Sequence, residues 1–345
     1  MKLALGLDLY RGATLKVPLA QVRRAEALGY HSVWTAEAYG SDALSPLAYL
    51  AALTTRIKLG TGIVQIAART PAATAMHALT IDALAGGNRV IIGLGVSGPQ
   101  IVEGWYGQPW GSPNQRLREY VAIMRKVFDR EPLTNDGPEF PLPYNGPGAI
   151  GQGKPLRSIL HPVGEVEIWL SAGGPKNTEL AAEVADGLLP MGWGSNGNEI
   201  YEPRLAAGFA RRGARPNDFD VFGGIGVEFT DDVKATIDAK KPLTAMYVGG
   251  MGSATHNYHR AAMARRGFPE EAARIQELWL AGRKQEAVAA VPDEYIEEGS
   301  LFGTEKRMRE RWDSTISAVT NGLTGLIVRT KDIAGLELVA DLEAG

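Results

Sequence analysis

The sequence contains a glycine-rich turn, residues 172–177, whose composition suits the binding of a phosphate group. It reads Ala-Gly-Gly-Pro-Lys-Asn and directly follows an apolar run that ends at Leu170. Gly173 and Gly174 let a ligand approach the backbone, and Pro175 suits the first turn of a helix, whose free N–H groups attract an anion. The pattern predicts either a phosphate-binding turn or a tight strand-to-helix turn without a ligand.

The next apolar run supports the ligand-binding interpretation. It ends in Pro-Met-Gly-Trp-Gly-Ser, residues 190–195, so small residues again come at the end of a strand. In α/β barrels, phosphate groups commonly bind to the loops near the later strands. We therefore expect Met191 and Gly192 to lie beside the first turn.

Two further glycine patterns fall at or near the ends of strands. Gly60 and Gly62 break a run that otherwise has the pattern of a buried strand. This predicts a bulge on which a flat ring can rest, or else a kink that closes the sheet. Residues 93–99 read Gly-Leu-Gly-Val-Ser-Gly-Pro and only superficially resemble a dinucleotide fingerprint, because no clean helix start follows. We interpret them as a loop at a strand end, with Ser97 as a polar contact.

Three carboxylates occupy similar positions. Glu37 ends the second apolar run, and Asp8 and Glu103 come after or within others. A carboxylate at such a position can accept a hydrogen bond from a coenzyme ring or act as a general base. Each alone is more often a helix cap or an ion-pair partner, so only their shared location favours chemistry.

The sequence lacks the residues or motifs that several other kinds of enzyme and binding site require. The chain has no Cys, which excludes disulfides, thiolate metal sites and cysteine nucleophiles. The motifs G-x-S-x-G, H-E-x-x-H and G-x-x-x-x-G-K-[ST] are missing, so hydrolase and nucleotide-triphosphatase functions lose their main support. His256 and His259 have no carboxylate close by, and we interpret them as helical histidines and predict no metal site.

The elements that position these residues are short apolar runs alternating with helical stretches, which is the pattern of βα units around a parallel sheet. Most runs are apolar at nearly every position, as strands buried on both faces are. About eight are present, which is the strand number of a (β/α)8 barrel. They are residues 3–9, 32–37, 57–64, 90–96, 166–172, 187–192, 221–229 and 323–330. We predict an α/β fold, a (β/α)8 TIM barrel with insertions at its rim.

Helical spacing between the runs supports this fold. Residues 18–28, 71–84 and 116–128 are predicted helices, and Gly29 is the expected C-cap of the first. Residues 131–165 are rich in Gly and Pro and predict a long ordered loop, whereas 231–312 are mostly helical with a break at the glycines of 249–252. We interpret residues 1–345 as a single domain in which neither insertion has a separate core.

Composition narrows the choice of partners. The 345 residues include 36 Lys and Arg against 39 Asp and Glu, a net charge of −3, with no block of like charge. This argues against nucleic acid or an anionic membrane as a partner and favours a small-molecule substrate. The N-terminus has the pattern of a first strand and not of a signal peptide, and no apolar run is long enough to span a membrane. We expect a cytoplasmic protein.

Together, these segments resemble the luciferase-like monooxygenase superfamily, and more closely its deazaflavin branch, whose members use coenzyme F420. The resemblance covers nearly the whole chain. It rests on Val-Trp-Thr-Ala-Glu-Ala-Tyr-Gly-Ser-Asp at 33–42, on Leu-Gly-Thr-Gly-Ile at 59–63, and on segments 68–71, 93–100, 103–107, 153–156, 174–177, 185–187 and 246–252.

The resemblance implies a bacterial luciferase-like barrel, a homodimer, and a deazaflavin at the C-terminal ends of the strands. The ring is expected against a bulge in the third strand, at a non-proline cis peptide that falls on Gly62–Ile63. The family's acidic residue near the ring falls on Glu37. The expected coenzyme-binding residues are Asp8, Glu37, Thr61, Gly62, Ile63, Ser97, Gly98, Ala172, Gly173, Gly174, Met191 and Gly192.

Three positions depart from the sugar-phosphate and alcohol dehydrogenases of this branch. Ala38 stands where a proton-transferring His commonly follows the acidic residue, Pro99 where several members have a glutamate, and Gly194 where a lysine binds the substrate phosphate. A sugar phosphate is therefore not the expected substrate. Glu37, Tyr39 and Glu103 are the candidate catalytic residues.

Three functions stay open at this point. The leading hypothesis is F420-dependent hydride transfer to an imine or enone, or from an alcohol, and the missing acid/base residue favours reduction. The second is an FMN-dependent monooxygenase of the same superfamily, and the third is a deazaflavin-binding protein without catalytic activity.

Overall fold

The computed structural model describes residues 1–252 and 257–345, and these contain a closed barrel of eight parallel strands with helices around it. The described residues form nine strands, and all of them except Ser300–Gly303 belong to the ring. They are β1 (Lys2–Gly6), β2 (Ser32–Thr35), β3 (Lys58–Gln65), β4 (Val90–Gly95), β5 (Glu167–Ala172), β6 (Gly187–Pro190), β7 (Asp220–Phe229), β8 (Ser300–Gly303) and β9 (Gly325–Thr330). Strands β1 to β7 pair in sequence order, and β9 pairs with both β7 and β1 to close the ring. The predicted (β/α)8 barrel is confirmed.

Large apolar side chains fill the barrel interior. Trp34, Trp169 and Phe222 contact one another with ring centroids 4.9 to 6.2 Å apart. Glycines make room for the two indoles, since a Cβ at Gly60 would lie 2.7 Å from the Trp34 ring and one at Gly187 would lie 2.5 Å from the Trp169 ring. The glycine at position 60 therefore serves the packing of the core.

Helices cover the barrel and form most of the second insertion. Their ends follow the capping signals: Thr70 caps the helix that starts at Pro71, and Gly86 ends it with a left-handed φ of 90°. The helices are α1 (Leu19–Ala27), α2 (Leu44–Ala51), α3 (Pro71–Ala85), α4 (Pro99–Gly104), α5 (Pro113–Phe128), α6 (Pro175–Val184), α7 (Gly197–Arg212), α8 (Val233–Asp238), α9 (Lys241–Gly250), α10 (Tyr258–Arg265), α11 (Pro269–Leu280), α12 (Lys284–Ala289), α13 (Asp293–Glu297), α14 (Glu305–Arg311), α15 (Ser317–Val319) and α16 (Ile333–Ala344).

The strands differ from the prediction in two places. β1 ends at Gly6 because Asp8 begins a turn of 3-10 helix, Leu9–Arg11, at the mouth of the barrel. β8 was not predicted: its four residues pair with the C-terminal part of β7, which extends beyond the ring. β2 and β6 are equally short, but they alternate with the helices of the barrel, whereas β8 lies within the helical insertion, where no strand was expected.

The first insertion, residues 131–165, contains no helix or strand and is a long ordered loop, as predicted. The buried carboxylate of Glu119 on α5 holds it, because it accepts hydrogen bonds from the Asn135 side chain and from the backbone N–H groups of Glu139 and Phe140. This loop packs on the outer side of the barrel.

The second insertion is largely helical, as predicted, but it buries an apolar cluster of its own, which the sequence analysis did not expect. The members of this insertion cluster come from α9 to α12 and from the second residue after α12. They are Ala245, Val248, Met263, Ala272, Ile275, Leu278, Ala287 and Val291. The insertion is therefore a small packed unit at the mouth of the barrel.

Within residues 1–252 and 257–345, no helix has both the length and the apolar character needed to cross a membrane.

Candidate functional site

Two adjoining cavities open at the C-terminal ends of the strands. The central cavity, of about 390 Å³, lies over the barrel axis and is lined from β1, β2, β3, β5, β6, β7 and β9. The outer cavity, of about 250 Å³, lies over the ends of β2 to β6 and under the second insertion. Tyr10, Ala36, Gly62, Ile63 and Ser171 line both. The two cavities form one cleft, at the end where barrel active sites lie.

A bulge in β3 divides this cleft. The Gly62–Ile63 peptide bond is cis, as expected, and the register of β3 against β4 shifts between Gly62 and Val64. Gly95 makes room for the bulged residue, because a Cβ there would lie 2.8 Å from Ile63 Cγ1. The bulge thus presents the Ile63 side chain to both cavities.

The start of α6 forms one wall of the outer cavity. Gly174 is its N-cap and Pro175 its first residue, as predicted, and the first turn leaves backbone N–H groups without intrahelical partners. A Cβ on Gly173 would lie 2.7 Å from Met191 Cβ, whereas one on Gly174 would meet no atom within 4 Å. Arg265, from the second insertion, donates a hydrogen bond to the Gly173 carbonyl. A phosphate group suits this place for three reasons: the N–H groups of the first turn are free, the two glycines have no side chain in the way, and the guanidinium of Arg265 is close by.

Glu37 lines the outer cavity, but its carboxylate is fully engaged. One oxygen accepts hydrogen bonds from the Gln65 backbone N–H at 2.9 Å and from Arg69 at 2.8 Å. The other accepts from Arg69 at 2.9 Å and from the Ala43 N–H at 3.1 Å. The side chain is only 3% exposed. Glu37 thus lies at the end of the second strand, as predicted, and the carboxylate is the buried ion-pair partner that the sequence left open as an alternative. Its bonds fix the ends of β2 and β3.

Asp8 lines the central cavity and is also paired. Its oxygens lie 3.2 Å from Arg11 Nη1 and 3.6 Å from Arg329 Nε. Arg329 crosses the barrel mouth above Gly224, where a Cβ would lie 2.4 Å from its Nη1. The central cavity therefore contains more guanidinium than carboxylate groups.

Some predicted site residues line the cleft and others do not. Ser97, Gly98, Gly173, Gly174 and Met191 line the outer cavity, and Gly192 lines the central one. Thr61 and Ala172 are buried outside the lining, and the Thr61 hydroxyl pairs with the backbone N–H and C=O of Gly93. Tyr39 is 58% exposed and Glu103 is exposed on α4, so neither reaches the cavities.

The second insertion contributes residues to the site that were not predicted from the sequence. Tyr247, Met251, Tyr258 and His259 line the outer cavity. The Tyr247 and His259 rings contact each other with centroids 4.6 Å apart. Burial lowers the pKa of His259 to about 4, and burial together with Tyr10 raises the pKa of Tyr247 to about 12. The second insertion was expected at the rim of the barrel, and segment 246–252 carried a family signal, but neither identified these side chains as part of the site.

The histidine pair considered as metal ligands is only partly described, because His256 lies outside the described residues. Among residues 1–252 and 257–345, no three His, Asp or Glu side chains converge to hold a metal ion.

The structure shows the surroundings of Ala38 and Gly194, two of the positions that differ from the sugar-phosphate and alcohol dehydrogenases of the family. Ala38 lines the outer cavity, and its carbonyl accepts hydrogen bonds from the Gln65 side chain and the Tyr106 hydroxyl. The space beside Gly194 holds an ion pair between Arg266 and Glu298, with N and O 2.6 Å apart. A lysine at position 194 would require this ion pair to move, since a Cβ there would lie 2.8 Å from the Glu298 carboxylate.

Comparison with known proteins agrees with this geometry. Residues 4–320 match the family described as luciferase-like monooxygenase. A Mycobacterium tuberculosis protein, Rv3520c, whose name provisionally assigns it as a coenzyme F420-dependent oxidoreductase, is 41% identical over 97% of this chain and 99% of its own length.

Two solved structures share the fold. One is the coenzyme F420-dependent tetrahydromethanopterin reductase of Methanopyrus kandleri, with a TM-score of 0.75 and 22% identity over 98% of this chain and 97% of that chain. The other is an F420-dependent secondary alcohol dehydrogenase in complex with an F420–acetone adduct, with a TM-score of 0.73 and 19% identity over 99% and 97%. The relative and the two solved structures described above carry names that refer to coenzyme F420. The chain belongs to the luciferase-like monooxygenase family.

Proposed function

We propose that this protein is an enzyme that binds coenzyme F420 in the cleft and transfers hydride between the deazaflavin and a small or medium-sized organic substrate. The main observation behind the proposal is that the outer cavity contains both a support for a ring and a site for a phosphate. The Ile63 bulge offers an apolar support for a flat ring, and the start of α6 offers a site for a phosphate. A coenzyme with a ring and a phosphate can use both at once.

The residues present fit this coenzyme. The backbone at Gly173 and Gly174, with Arg265 beside it, would hold the phosphate, while Gly62 and Ile63 would support the ring. When bound, the deazaflavin supplies a carbon centre, C5, that accepts or donates hydride. The protein orients the two reactants, and the helices of the second insertion exclude water from the outer cavity.

Glu37, in this proposal, is a positioning residue. Its bonds to Gln65 and Ala43 hold the end of β2 against β3, so it fixes the bulge on which the ring would rest. Asp8 similarly orients Arg11 and Arg329 at the edge of the central cavity. We no longer propose Tyr39 and Glu103 as proton donors, because neither side chain lines the cleft.

FMN is the alternative coenzyme, in a monooxygenase that activates oxygen, and the same bulge and phosphate turn would accept it. We rank it second because the relative that is 41% identical is assigned to F420. A deazaflavin has carbon in place of the flavin N5 and does not readily form the flavin peroxide on which monooxygenation depends. A deazaflavin-binding protein without catalytic activity is the third possibility.

A substrate screen separates these three functions. Purified protein is mixed with oxidised F420 and a panel of alcohols, and with reduced F420 and a panel of enones and imines, while the deazaflavin absorbance is followed. We expect enzyme-dependent turnover with at least one class. Turnover only with reduced FMN and oxygen would favour the monooxygenase, and tight F420 binding with no turnover would favour the non-catalytic protein.

The homodimer and the cytoplasmic location stay predictions that rest on the family resemblance and the sequence. A small-molecule substrate agrees with the size of the cleft, which is closed in on one side by the second insertion.

A further inference from the structure

We propose that His259 accepts the proton of an alcohol substrate in the outer cavity, and so replaces the histidine that this chain lacks at position 38. The inference rests on the proposed function, because alcohol oxidation releases a proton together with the hydride. Ala38 and His259 line the same cavity, one from the end of β2 and the other from α10.

The fold holds His259 in place from both sides. Asn257 caps α10: its side-chain oxygen accepts a hydrogen bond from the Arg260 N–H at 2.9 Å, and its side-chain N–H₂ donates to the Val248 carbonyl at 2.7 Å. Asn257 is 7% exposed, so this link between α9 and α10 is buried. The His259 ring then packs on Tyr247 of α9. The cap thus fixes the start of α10, and the Tyr247 contact holds the imidazole in the lining of the outer cavity.

The other titratable groups of the cleft lining are unsuited to accept a proton near neutral pH. The Glu37 and Asp8 carboxylates are engaged in ion pairs with arginines. Arginine side chains stay protonated. Tyrosine hydroxyls ordinarily have pKa values near 10, and burial raises those of Tyr247 and Tyr258 further. Among the described residues that line the cleft, the imidazole of His259 is therefore the group suited to this step.

The protonation state of His259 sets its role. The titratable groups that line the outer cavity with it are Tyr10, Glu37, Tyr247 and Tyr258, and the Glu37 charge is matched by Arg69. Burial lowers the pKa of His259 to about 4, so the imidazole is neutral at pH 7 and a ring nitrogen is free to take up a proton. The same burial disfavours the imidazolium, so His259 holds the proton only briefly while the hydride leaves and then passes it on. A neutral imidazole suits oxidation better than reduction, which would need the imidazolium as a donor. His259 thus supplies the base whose absence at position 38 favoured reduction.

The step balances. The alcohol C–H bond breaks and its hydride, with the electron pair, leaves to the deazaflavin of the proposed function. The O–H bond breaks and its proton passes to a ring nitrogen of His259, while the C=O bond forms. The imidazolium then releases the proton to solvent.

Chemical modification tests the placement without a substrate. Diethyl pyrocarbonate acylates neutral imidazoles, and mass spectrometry of peptides reads the rate at His259 and at His77, an exposed residue on α3. F420 at about ten times its dissociation constant should slow modification of His259 several-fold and leave His77 unchanged. An unchanged rate at His259, with F420 bound as a parallel titration shows, would overturn the inference. Failure of F420 to bind would instead overturn the proposed function.

Turnover tests the role. With the alcohol that the screen identifies, His259→Gln should lower kcat/KM by about 100-fold or more, the usual scale for loss of a general base, and F420 affinity should change less than threefold. The acidic limb of the pH profile should disappear, and His77→Gln should behave as wild type. Adding Ala38→His to His259→Gln should restore part of the rate. Wild-type kinetics in His259→Gln, or turnover of enones and imines only, would contradict the proposal.

Discussion

The carboxylate of Glu37 illustrates how a residue type indicates chemistry while its partners decide its role. Four donors occupy its two oxygens, and two of them belong to Arg69, which lies 32 residues away in sequence. Hydrogen bonds to Glu37 raise the pKa of Arg69, even though burial opposes its charge. No local sequence pattern predicts the ion pair between Glu37 and Arg69.

Replacing this carboxylate should cost stability. Glu37→Gln keeps the shape but leaves Arg69 as a buried charge without its partner, and we expect a loss of about 3 kcal/mol in the free energy of unfolding. Urea denaturation measures it, with the exposed Glu103→Gln as the control that should unfold like wild type. Equal stability of the two variants would show that the pair contributes no net stabilisation.

Gly174 offers a test of the phosphate site that separates binding from folding. Asp is a favoured N-cap, so Gly174→Asp should leave stability unchanged or slightly higher, while its carboxylate competes with a phosphate at the start of α6. F420 affinity should fall about tenfold or more, which corresponds to about 1.4 kcal/mol.

Gly174→Asn is the matched control, since it caps the helix without a charge and should bind F420 nearly as wild type does. Gly173 is less suitable, because any Cβ there meets Met191 and disturbs the packing as well. If the Asp and Asn variants bound F420 with equal affinity, the phosphate of the coenzyme would not bind at this turn.

At the residue scale, the sequence predicted the glycines of the site and missed its insertion side chains. A glycine before a helix start or inside a strand has a local physical meaning, so positions 62, 173 and 174 could be found. The places of Tyr247 and His259 depend on how α9 and α10 pack over the barrel mouth, and this packing is a long-range contact.

Among the elements, the N-terminal ends of β1, β2 and β3 meet at the bottom of the barrel around His31. Two ion pairs, Lys2 with Asp220 and Lys58 with Glu167, surround it. Burial, together with Lys58 and Lys2, lowers the pKa of His31 to about 4 from its usual 6.5. The folded protein therefore keeps this imidazole neutral where the unfolded chain would protonate it.

This difference makes stability depend on pH. Between about pH 6.5 and pH 4 the unfolded state binds a proton at His31 that the folded state does not, so stability falls as the pH falls through this window. His31→Gln should show a smaller drop in Tm from pH 7 to pH 4.5 than wild type, while His77→Gln should show the same drop. Identical pH curves for all three proteins would contradict a depressed pKa at His31.

The helices of the second insertion should unfold more easily than the barrel. Leu278 on α11 is 3% exposed in the insertion cluster, and Leu278→Ala should cost about 2–5 kcal/mol because it leaves a cavity. Hydrogen exchange should speed up across 241–297 and not in β1 to β6. Leu280 on the same helix is 58% exposed, and Leu280→Ala should exchange as wild type. Uniformly faster exchange in Leu278→Ala would mean that insertion and barrel unfold as one unit.

The elements themselves were largely predictable, and for a physical reason. Parallel strands buried on both faces are apolar throughout, so the runs that became β2 to β7 stood out within a few residues of their true ends. β8 was missed because it lies within the helical insertion and outside the alternation of strands and helices, although β2 and β6 are just as short. The insertion cluster was missed because short helices separated by breaks gave no sign of packing on one another.

At the scale of the whole molecule, the closed ring explains how distant segments share one site. Eight parallel strands bring their C-terminal ends to one mouth, so Asp8, Glu37, Ile63, Ser97 and Gly173 converge although 165 residues separate the first from the last. This convergence follows from the fold alone and was predictable once eight βα units were counted. The choice of coenzyme does not follow from the fold and rests on the bulge, the phosphate turn and the relatives.

The central claim is that the cleft binds a deazaflavin, and an equilibrium titration of the purified protein with F420 and with FMN tests it most directly. Deazaflavin fluorescence and calorimetry should both report saturable binding of F420, with one site for each chain, and FMN should bind at least tenfold more weakly, by about 1.4 kcal/mol. Saturable FMN binding together with no response to F420 would contradict the account.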